Sequence, residues 1–448
     1  MKAEYSNLFK EIISSYYKGN FEEKINSILS NKTIDKDALA GVISSLCGVE
    51  ISFSDNYYEN LTLAIKSYEA SHKIVNKVKT CSMDCADNDG KTICQKSCPF
   101  DAIFIDTEKH TSVINAEKCT DCGFCVEACP TASIVDKIEF IPFANLLMEK
   151  EPVIAAVAPA ITGQFGSDIS INKLRTAFKE MGFTEMVEVA FFADMLTLKE
   201  SVEFDEHVHT EKDFLITSCC CPMWVGMLKR VYENLVKYVS PSVSPMIAAG
   251  RVMKQLNPKC KVVFIGPCIA KKAEAKEKDL LGDIDYVLTF SELKDIFEAL
   301  EINLEELAED YSTEYASKGG RLYARTGGVS IAVSDAVGKL FPEKHKLLKA
   351  SQANGVQECK KMLSDVQQGI VKANFIEGMG CIGGCVGGPK AIIPREKGKE
   401  FVDDFALNSE IKVAVDSNCM LDILEKLNIY SADDFKYKER VEIFERNF

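Results

Sequence analysis

The spacing of apolar residues changes twice along the chain. Residues 1–76 contain no proline and repeat Ile, Leu and Phe at helical intervals among Lys and Glu, as in Phe21-Glu-Glu-Lys-Ile-Asn-Ser-Ile-Leu29, which predicts a small helical segment. After Ile141-Pro142 the texture becomes short β-rich runs alternating with amphipathic stretches, the pattern of α/β layers. Strands are expected at Val153–Ala158, Met186–Ala190, Phe214–Thr217, Val262–Ile265, Ile284–Leu288 and Asn374–Glu377. Four of them run straight into Ala158-Pro159-Ala160, Ser218-Cys219-Cys220-Cys221-Pro222, Gly266-Pro267-Cys268 and Gly378-Met379-Gly380-Cys381. Open α/β sheets put ligands past strand C-termini, so these loops are expected to converge. Beyond Pro394 a charged tail contains Leu421-Asp-Ile-Leu-Glu-Lys-Leu427, a packing helix.

Composition narrows the class. A length of 448 residues suggests two to four domains, and 46% hydrophobic with 27% charged residues is ordinary for a soluble globular protein. The expected division is a helical segment over 1–76, a cysteine-rich unit over 77–141 and a larger α/β portion over 142–448 that includes the tail. The N-terminal residues lack an export h-region, and no apolar run approaches the ~18–20 residues that cross a bilayer, so a cytoplasmic protein without a membrane partner is expected. A net charge of -14 argues against a nucleic-acid surface and permits a local basic patch that steers an acidic electron carrier.

The 18 cysteines change the picture most. In a chain without an export signal they favour metal ligation over disulfides. Cys119-x2-Cys122-x2-Cys125-x3-Cys129-Pro130 matches the bacterial ferredoxin run, in which three thiolates serve one cubane and the fourth its neighbour; a structural zinc site is the bland alternative. The partner run, Cys81-x3-Cys85-x8-Cys94-x3-Cys98-Pro99, keeps the terminal Cys-Pro with altered spacing. By the crossed ligation of two-cluster ferredoxins, one 4Fe-4S cluster would use Cys81, Cys85, Cys94 and Cys129, and the other Cys98, Cys119, Cys122 and Cys125. Cys47, Cys260, Cys359 and Cys419 read as packed thiols, and His207-x-His209 as an exposed turn.

Three further stretches carry a resemblance. Thr217-Ser-Cys-Cys-Cys-Pro-Met-Trp224, Gly266-Pro-Cys-Ile-Ala-Lys-Lys-Ala-Glu274 and Glu377-Gly-Met-Gly-Cys-Ile-Gly-Gly-Cys385 resemble, in order, the three signatures of the iron-only ([FeFe]) hydrogenases. The resemblance covers about residues 80–390. It implies an α/β catalytic domain with strand-end loops around an H-cluster, preceded by an α+β ferredoxin-like domain with two 4Fe-4S clusters. The family's H-cluster is a cubane bridged by a cysteine to a two-iron unit carrying carbon monoxide, cyanide and an amine dithiolate. Carried over by motif, its ligands are Cys221, Cys268, Cys381 and Cys385, the last as bridge.

The extra cysteine of the first signature leaves two registers open. Anchoring on Pro222-x-Trp224 makes Cys221 the ligand and Cys220 the proton-relay thiol; anchoring on Thr217-Ser218 makes Cys220 the ligand and Cys219 the relay. Glu200 and Glu203, at i and i+3 on one helix face, match the family's relay carboxylates, and Ser240 its relay serine. Lys271 matches the lysine that hydrogen-bonds a cyanide. Pro159, Pro245 and Met379 match pocket-wall residues, and Gly327-Gly328 a loop of close backbone approach. Ala160, Gly266 and Met246 depart from a family serine, methionine and glutamine, which implies a divergent branch. The function implied is interconversion of H2 with protons and electrons, with a ferredoxin-like carrier and maturation proteins as partners. An H2 sensor or a cubane-only assembly scaffold is the competing reading.

Overall fold

The computed structural model describes residues 3–30, 35–69, 73–217, 220–312 and 316–448. Eleven strands are assigned within them: β1 (Val75–Lys77), β2 (Ile103–Asp106), β3 (Thr111–Ile114), β4 (Ile134–Asp136), β5 (Val153–Val157), β6 (Glu185–Glu188), β7 (Leu215–Ile216), β8 (Lys261–Gly266), β9 (Tyr286–Thr289), β10 (Ala350–Asn354) and β11 (Phe375–Met379). The cysteine-rich region holds two antiparallel pairs, β1 with β4 and β2 with β3. Two parallel sheets follow, one ordered β6-β5-β8-β9 and the other β10-β11-β7. Every residue of β5 and of β11 is buried, as parallel strands covered on both faces must be.

The expected strand Met186–Ala190 is corrected. Pairing ends at Glu188, and Val189 opens a helix that runs to His207. A short apolar run such as Val189-Ala-Phe-Phe-Ala suits a buried helix as well as a strand. This helix is buried from Val189 through Phe204 and so presents no solvated face. Its charged residues Asp194, Lys199, Glu200 and Glu203 therefore lie inside the protein, where each needs a partner.

The N-terminal helices Ala3–Lys18, Phe21–Leu29, Lys36–Leu46 and Tyr57–Lys66 brace the other parts. Tyr5 donates to the Ala132 carbonyl at 3.0 Å, Tyr17 stacks on Phe140, and Lys10 pairs with Glu298. Strand β1 straddles residue 76, and the helix Phe140–Met148 straddles residue 141.

Candidate functional site

The eight cysteines of the two runs sort into two groups of four. Cys81, Cys85, Cys94 and Cys129 line one cavity of about 380 Å³ together with Met83, Thr92 and Ile134. Cys98, Cys119, Cys122 and Cys125 line a second, smaller one with Phe100, Ile103 and Gly123. Each group takes members from both runs because each Cys-Pro reaches across to the other. Short helices Ile93–Ser97 and Phe124–Ala128 hold the central thiols; the first is opened by a Thr92–Gln95 capping box and the second by Gly123 at φ +80.

Donors already point at the sulfurs. Backbone N–H groups of Ala102, Asp121 and Ser133 reach Cys98, Cys119 and Cys129 at 3.2, 3.4 and 3.3 Å. The Lys77 ammonium lies 3.5 Å from Cys81 Sγ. Burial raises the Cys81 pKa, but hydrogen bonds from Thr111 and Ser112 and the Lys77 charge outweigh it, bringing the thiol down to about 7. Among the described residues no three or more His, Cys, Asp or Glu gather as a site for one metal ion. The donor set, all sulfur and rimming cavities, fits polynuclear iron–sulfur clusters.

The strand-end loops converge on a second set of thiols. Cys221 Sγ accepts the Gly380 N–H at 3.3 Å, which ties the first signature loop to the third. Burial pushes the Cys268 pKa up to about 11, with the neighbouring Cys221 adding to it. Cys385 rises to about 12 by burial and by Cys268 and Cys221, and Cys381 rises too. Such mutual effects put the four thiols near one another, and binding to a cation is what would release crowded thiols as thiolates. Cys122 of the second cysteine group also acts on Cys381, so the two sites adjoin.

Glycines make this closeness possible. A Cβ on Gly378 would lie 2.1 Å from Trp224 Cε3, one on Gly380 would lie 2.5 Å from Met223 Cβ, and one on Gly123 would lie 2.3 Å from Ile269 Cδ1. Trp224 Nε1–H donates to the Thr217 carbonyl at 2.9 Å.

Burial raises the Cys220 pKa, and Cys385, Cys221, Lys271 and Glu377 act on it electrostatically, so it stands near this set. It packs with Met379 and Tyr323 in one apolar cluster. Cys219 and Ser218 lie outside the described residues. Lys271 is buried and donates to Glu274 Oε2 at 2.6 Å. Burial pulls its pKa down, but Glu274, Cys220 and Cys268 outweigh this and hold the ammonium charged.

Gly327, at φ +82, donates its N–H to Glu377 at 2.7 Å, and Ser330 donates both N–H and hydroxyl to the same carboxylate. A Cβ on Gly328 would lie 1.7 Å from the Leu322 carbonyl oxygen. The anchoring role of Glu377 was not read from sequence; its only signal is a lone charge ending an apolar strand. Pro159 opens the turn Pro159–Ile161 that follows β5, and Pro245 opens the helix Pro245–Leu256 behind the cap Ser244. At Gly266 the ring of Phe264 fills the space, 2.5 Å from where a Cβ would stand, and Ala160 and Met246 are both buried.

A buried polar chain approaches from the helix Val189–His207. Thr217 Oγ1–H donates to Glu200, and Ser240 Oγ–H donates to Glu203 Oε2 at 2.6 Å. Burial lifts the Glu200 pKa to about 8; the Thr217 hydroxyl pulls it back, and Glu203 adds to the rise. Tyr323, its hydroxyl 3.0 Å from Thr197 Oγ1, is under the influence of both Glu200 and Cys220, so it stands near both. Thr217 and Tyr323 were missed as members of this chain because their contacts are long-range, and Lys199 because its i, i+4 pairing with Glu203 reads as an ordinary surface pair until the helix is seen to be buried. Cys47, Cys260 and Cys359 are buried, Cys419 is half-buried, and His207 and His209 are exposed.

A family model described as the C-terminal domain of the iron-only hydrogenase large subunit matches residues 151–389, and a 4Fe-4S binding domain matches residues 112–135. Iron hydrogenase 1 of Clostridium pasteurianum is 28% identical over 318 residues, which cover 60% of this chain and 55% of that protein, so the chain spans about half its length. Protein NAR1 of Arabidopsis thaliana is 21% identical over 350 residues, covering 63% and 74%. A solved structure of [FeFe]-hydrogenase HydA1 from Chlamydomonas reinhardtii shares the fold, with a TM-score of 0.54 at 23% identity over 61% of this chain and 89% of that one. The chain belongs to the iron-only hydrogenase large-subunit family, with its catalytic-type α/β domain preceded by a 4Fe-4S ferredoxin-type domain.

Proposed function

We propose that the protein is a hydrogenase that interconverts H2 with protons and electrons. Two 4Fe-4S clusters would sit on the crossed cysteine groups, and an H-cluster on Cys221, Cys268, Cys381 and Cys385. When bound, the H-cluster supplies the metal site at which protons and electrons combine. The chain's own residues do the rest. Cys220 would hold a proton beside that site, with Glu200, Ser240 and Glu203 leading outward to solvent. A carboxyl with a pKa of about 8 is mostly protonated at neutral pH, which suits Glu200 as an inner donor. Lys271 would keep a buried positive charge against an anionic ligand.

The observation that carries this reading is the buried polar set Thr217–Glu200 and Ser240–Glu203, with Tyr323 under the influence of both Glu200 and Cys220. Interior carboxylates are costly, and an electron carrier alone has no need of them. The family also contains relatives named as iron–sulfur assembly factors, such as the one from Anopheles gambiae that is 22% identical over 309 residues. A scaffold of that kind has no use for a proton path or for Lys271. A ferredoxin-like carrier, dedicated maturation proteins and a cytoplasmic location complete the proposal. Anaerobic infrared spectroscopy of protein matured with competent maturation factors tests it, together with an H2 evolution assay. Carbon monoxide and cyanide bands with H2 evolution are expected; iron incorporation without those bands would favour the scaffold, and bands without turnover the sensor.

A further inference from the structure

The outer end of the buried carboxylate chain carries an arrangement that the proton path as proposed does not use. Lys199 is 1% exposed, and its ammonium pairs with Glu203 on its own helix, with Ser242 Oγ at 3.3 Å and with Glu445 Oε1 at 3.3 Å. Glu445 comes from a segment distant in sequence, Glu442–Arg446, which docks along residues 241–243. The Val243 N–H donates to the Phe444 carbonyl at 2.8 Å, the Arg446 N–H donates to the Pro241 carbonyl at 2.9 Å, and Ser242 bridges Glu445 in antiparallel fashion. A cavity of about 1280 Å³ opens at this point, lined by Glu203 and Glu445 together with Glu206, His207 and Arg251. Water in that cavity therefore meets Glu203 and Glu445 on one surface.

A buried ammonium costs several kcal/mol unless it is well paired. If Lys199 only compensated Glu203, one carboxylate would suffice. A second one, delivered by a separate segment at the mouth of the cavity, fixes the ammonium from outside and leaves it little freedom to swing. We propose that Lys199 and Glu445 are positioning residues for proton uptake. Lys199 holds the Glu203 carboxylate against Ser240, and Glu445 holds Lys199, so that the path is aligned only while segment 442–446 is docked. The charged groups facing Lys199 are Glu203 and Glu445, with Glu200 acting on it from further off. At the cavity rim Arg251 is itself paired with Asp283.

The inference rests on the hydrogenase reading, and infrared bands of the matured parent protein test that reading first. With those bands present, Lys199→Met, Lys199→Arg and Glu445→Gln are compared for H2 evolution against pH and for the solvent deuterium isotope effect. Lys199→Met is expected to lose roughly tenfold or more in turnover, with a displaced pH profile and a larger isotope effect, while its carbon monoxide and cyanide bands stay unmoved. Lys199→Arg should restore most of the rate. Glu445→Gln keeps every backbone bond of the segment and should lose turnover in the same manner to a smaller degree. If Lys199→Met does not fold, Glu445→Gln carries the test by itself. Unchanged turnover, pH profile and isotope effect in a folded, band-bearing Glu445→Gln would overturn the inference, as would a loss in Lys199→Met with neither the profile nor the isotope effect altered.

Discussion

Replacing Glu200 by Gln separates the chemistry of this carboxyl from its packing, and the structure sets the size of the effect. Glu200 is buried, accepts from Thr217, and has its pKa lifted to about 8 from the usual 4.5. In the unfolded chain it titrates near the ordinary carboxylate value. Between those two pH values the folded state keeps a proton that the unfolded state has lost, so this group's contribution to stability declines as pH rises through that window. The slope is about 1.4 kcal/mol per pH unit, or ~4 kcal/mol over the three units from pH 5 to pH 8. Below the unfolded pKa the contribution is complete, and above pH 8 it is gone. A Gln of the same shape keeps the acceptor for Thr217 and has no such slope. Urea unfolding of the metal-free parent and E200Q at half-unit steps should therefore give curves that diverge in favour of E200Q from pH 5 to 8 and then run parallel. In the same samples, the parent-minus-variant infrared spectrum should hold a protonated-carboxyl band that fades with a midpoint near pH 8. A band that disappears below pH 6, or unfolding curves that stay parallel throughout, would refute the account of Glu200 as a buried neutral acid.

Three further outcomes follow from the same geometry. Cys220→Ala should leave iron content of the matured protein unchanged and cut H2 evolution by ~100-fold or more, whereas Cys221→Ala should lose iron from the interior site; iron analysis and gas chromatography read both, and iron loss in Cys220→Ala with iron retained in Cys221→Ala would select the other register, with Cys220 as ligand and Cys219 as relay. Gly378→Ala drives a methyl into the ring of Trp224, the chain's single tryptophan, and should cost about 1–3 kcal/mol while shifting Trp224 fluorescence, read in one denaturant titration. Lys77→Met removes the ammonium from beside Cys81 and should lower the reduction potential of the cluster proposed on Cys81, Cys85, Cys94 and Cys129, measured by redox titration with electron paramagnetic resonance; an unmoved potential would count against that donor.

What the sequence reveals and conceals has a physical pattern. Cysteine, glycine and proline act locally, so the signature loops, the two cysteine runs and most strands ending in those loops are legible from spacing. The i, i+3 spacing of Glu200 and Glu203 places both on one helix face, but only the resemblance to the hydrogenase signatures singles the pair out. The burial of their helix is not, because a charged helix in isolation suggests a wet face, and only the elements packed around Val189–His207 remove the water. Lys199 and Glu445 are 246 positions apart, and no local pattern joins them. Strand β10 escaped because Ala350-Ser-Gln-Ala-Asn354 is polar and lies at the edge of its sheet, where only one neighbour needs an apolar side. Glu377 reads as the end of a strand until the fold brings Gly327 to it.

The seam between the cysteine-rich unit and the α/β portion explains why the two thiol sites adjoin. Electron transfer between separate cofactors needs a fixed separation, and a flexible linker cannot supply one. The five-residue helix Ala270–Glu274 begins just after Cys268 and divides its lysines between two tasks. Lys271 pairs with Glu274 and feels the charge of Cys220 and Cys268, while Lys272, fully buried, turns to Asp136 at 2.9 Å, Glu292 at 2.5 Å and the Lys137 carbonyl at 2.6 Å. Asp136, at the end of β4, is held far below the usual carboxylate range, since Lys272 and Lys390 outweigh the penalty of its burial. Lys390 follows the third signature and also reaches Glu127, on the helix that carries Cys125. Ile269, next to Cys268, fills the space that Gly123 leaves open between Cys122 and Cys125. Breaking one partner of such a buried set leaves an uncompensated charge costing about 3–5 kcal/mol, so the seam resists opening. The residues that would bind the interior cluster are thus one or two positions from those that fix the ferredoxin-type unit, and a shift of either domain would move the thiols themselves.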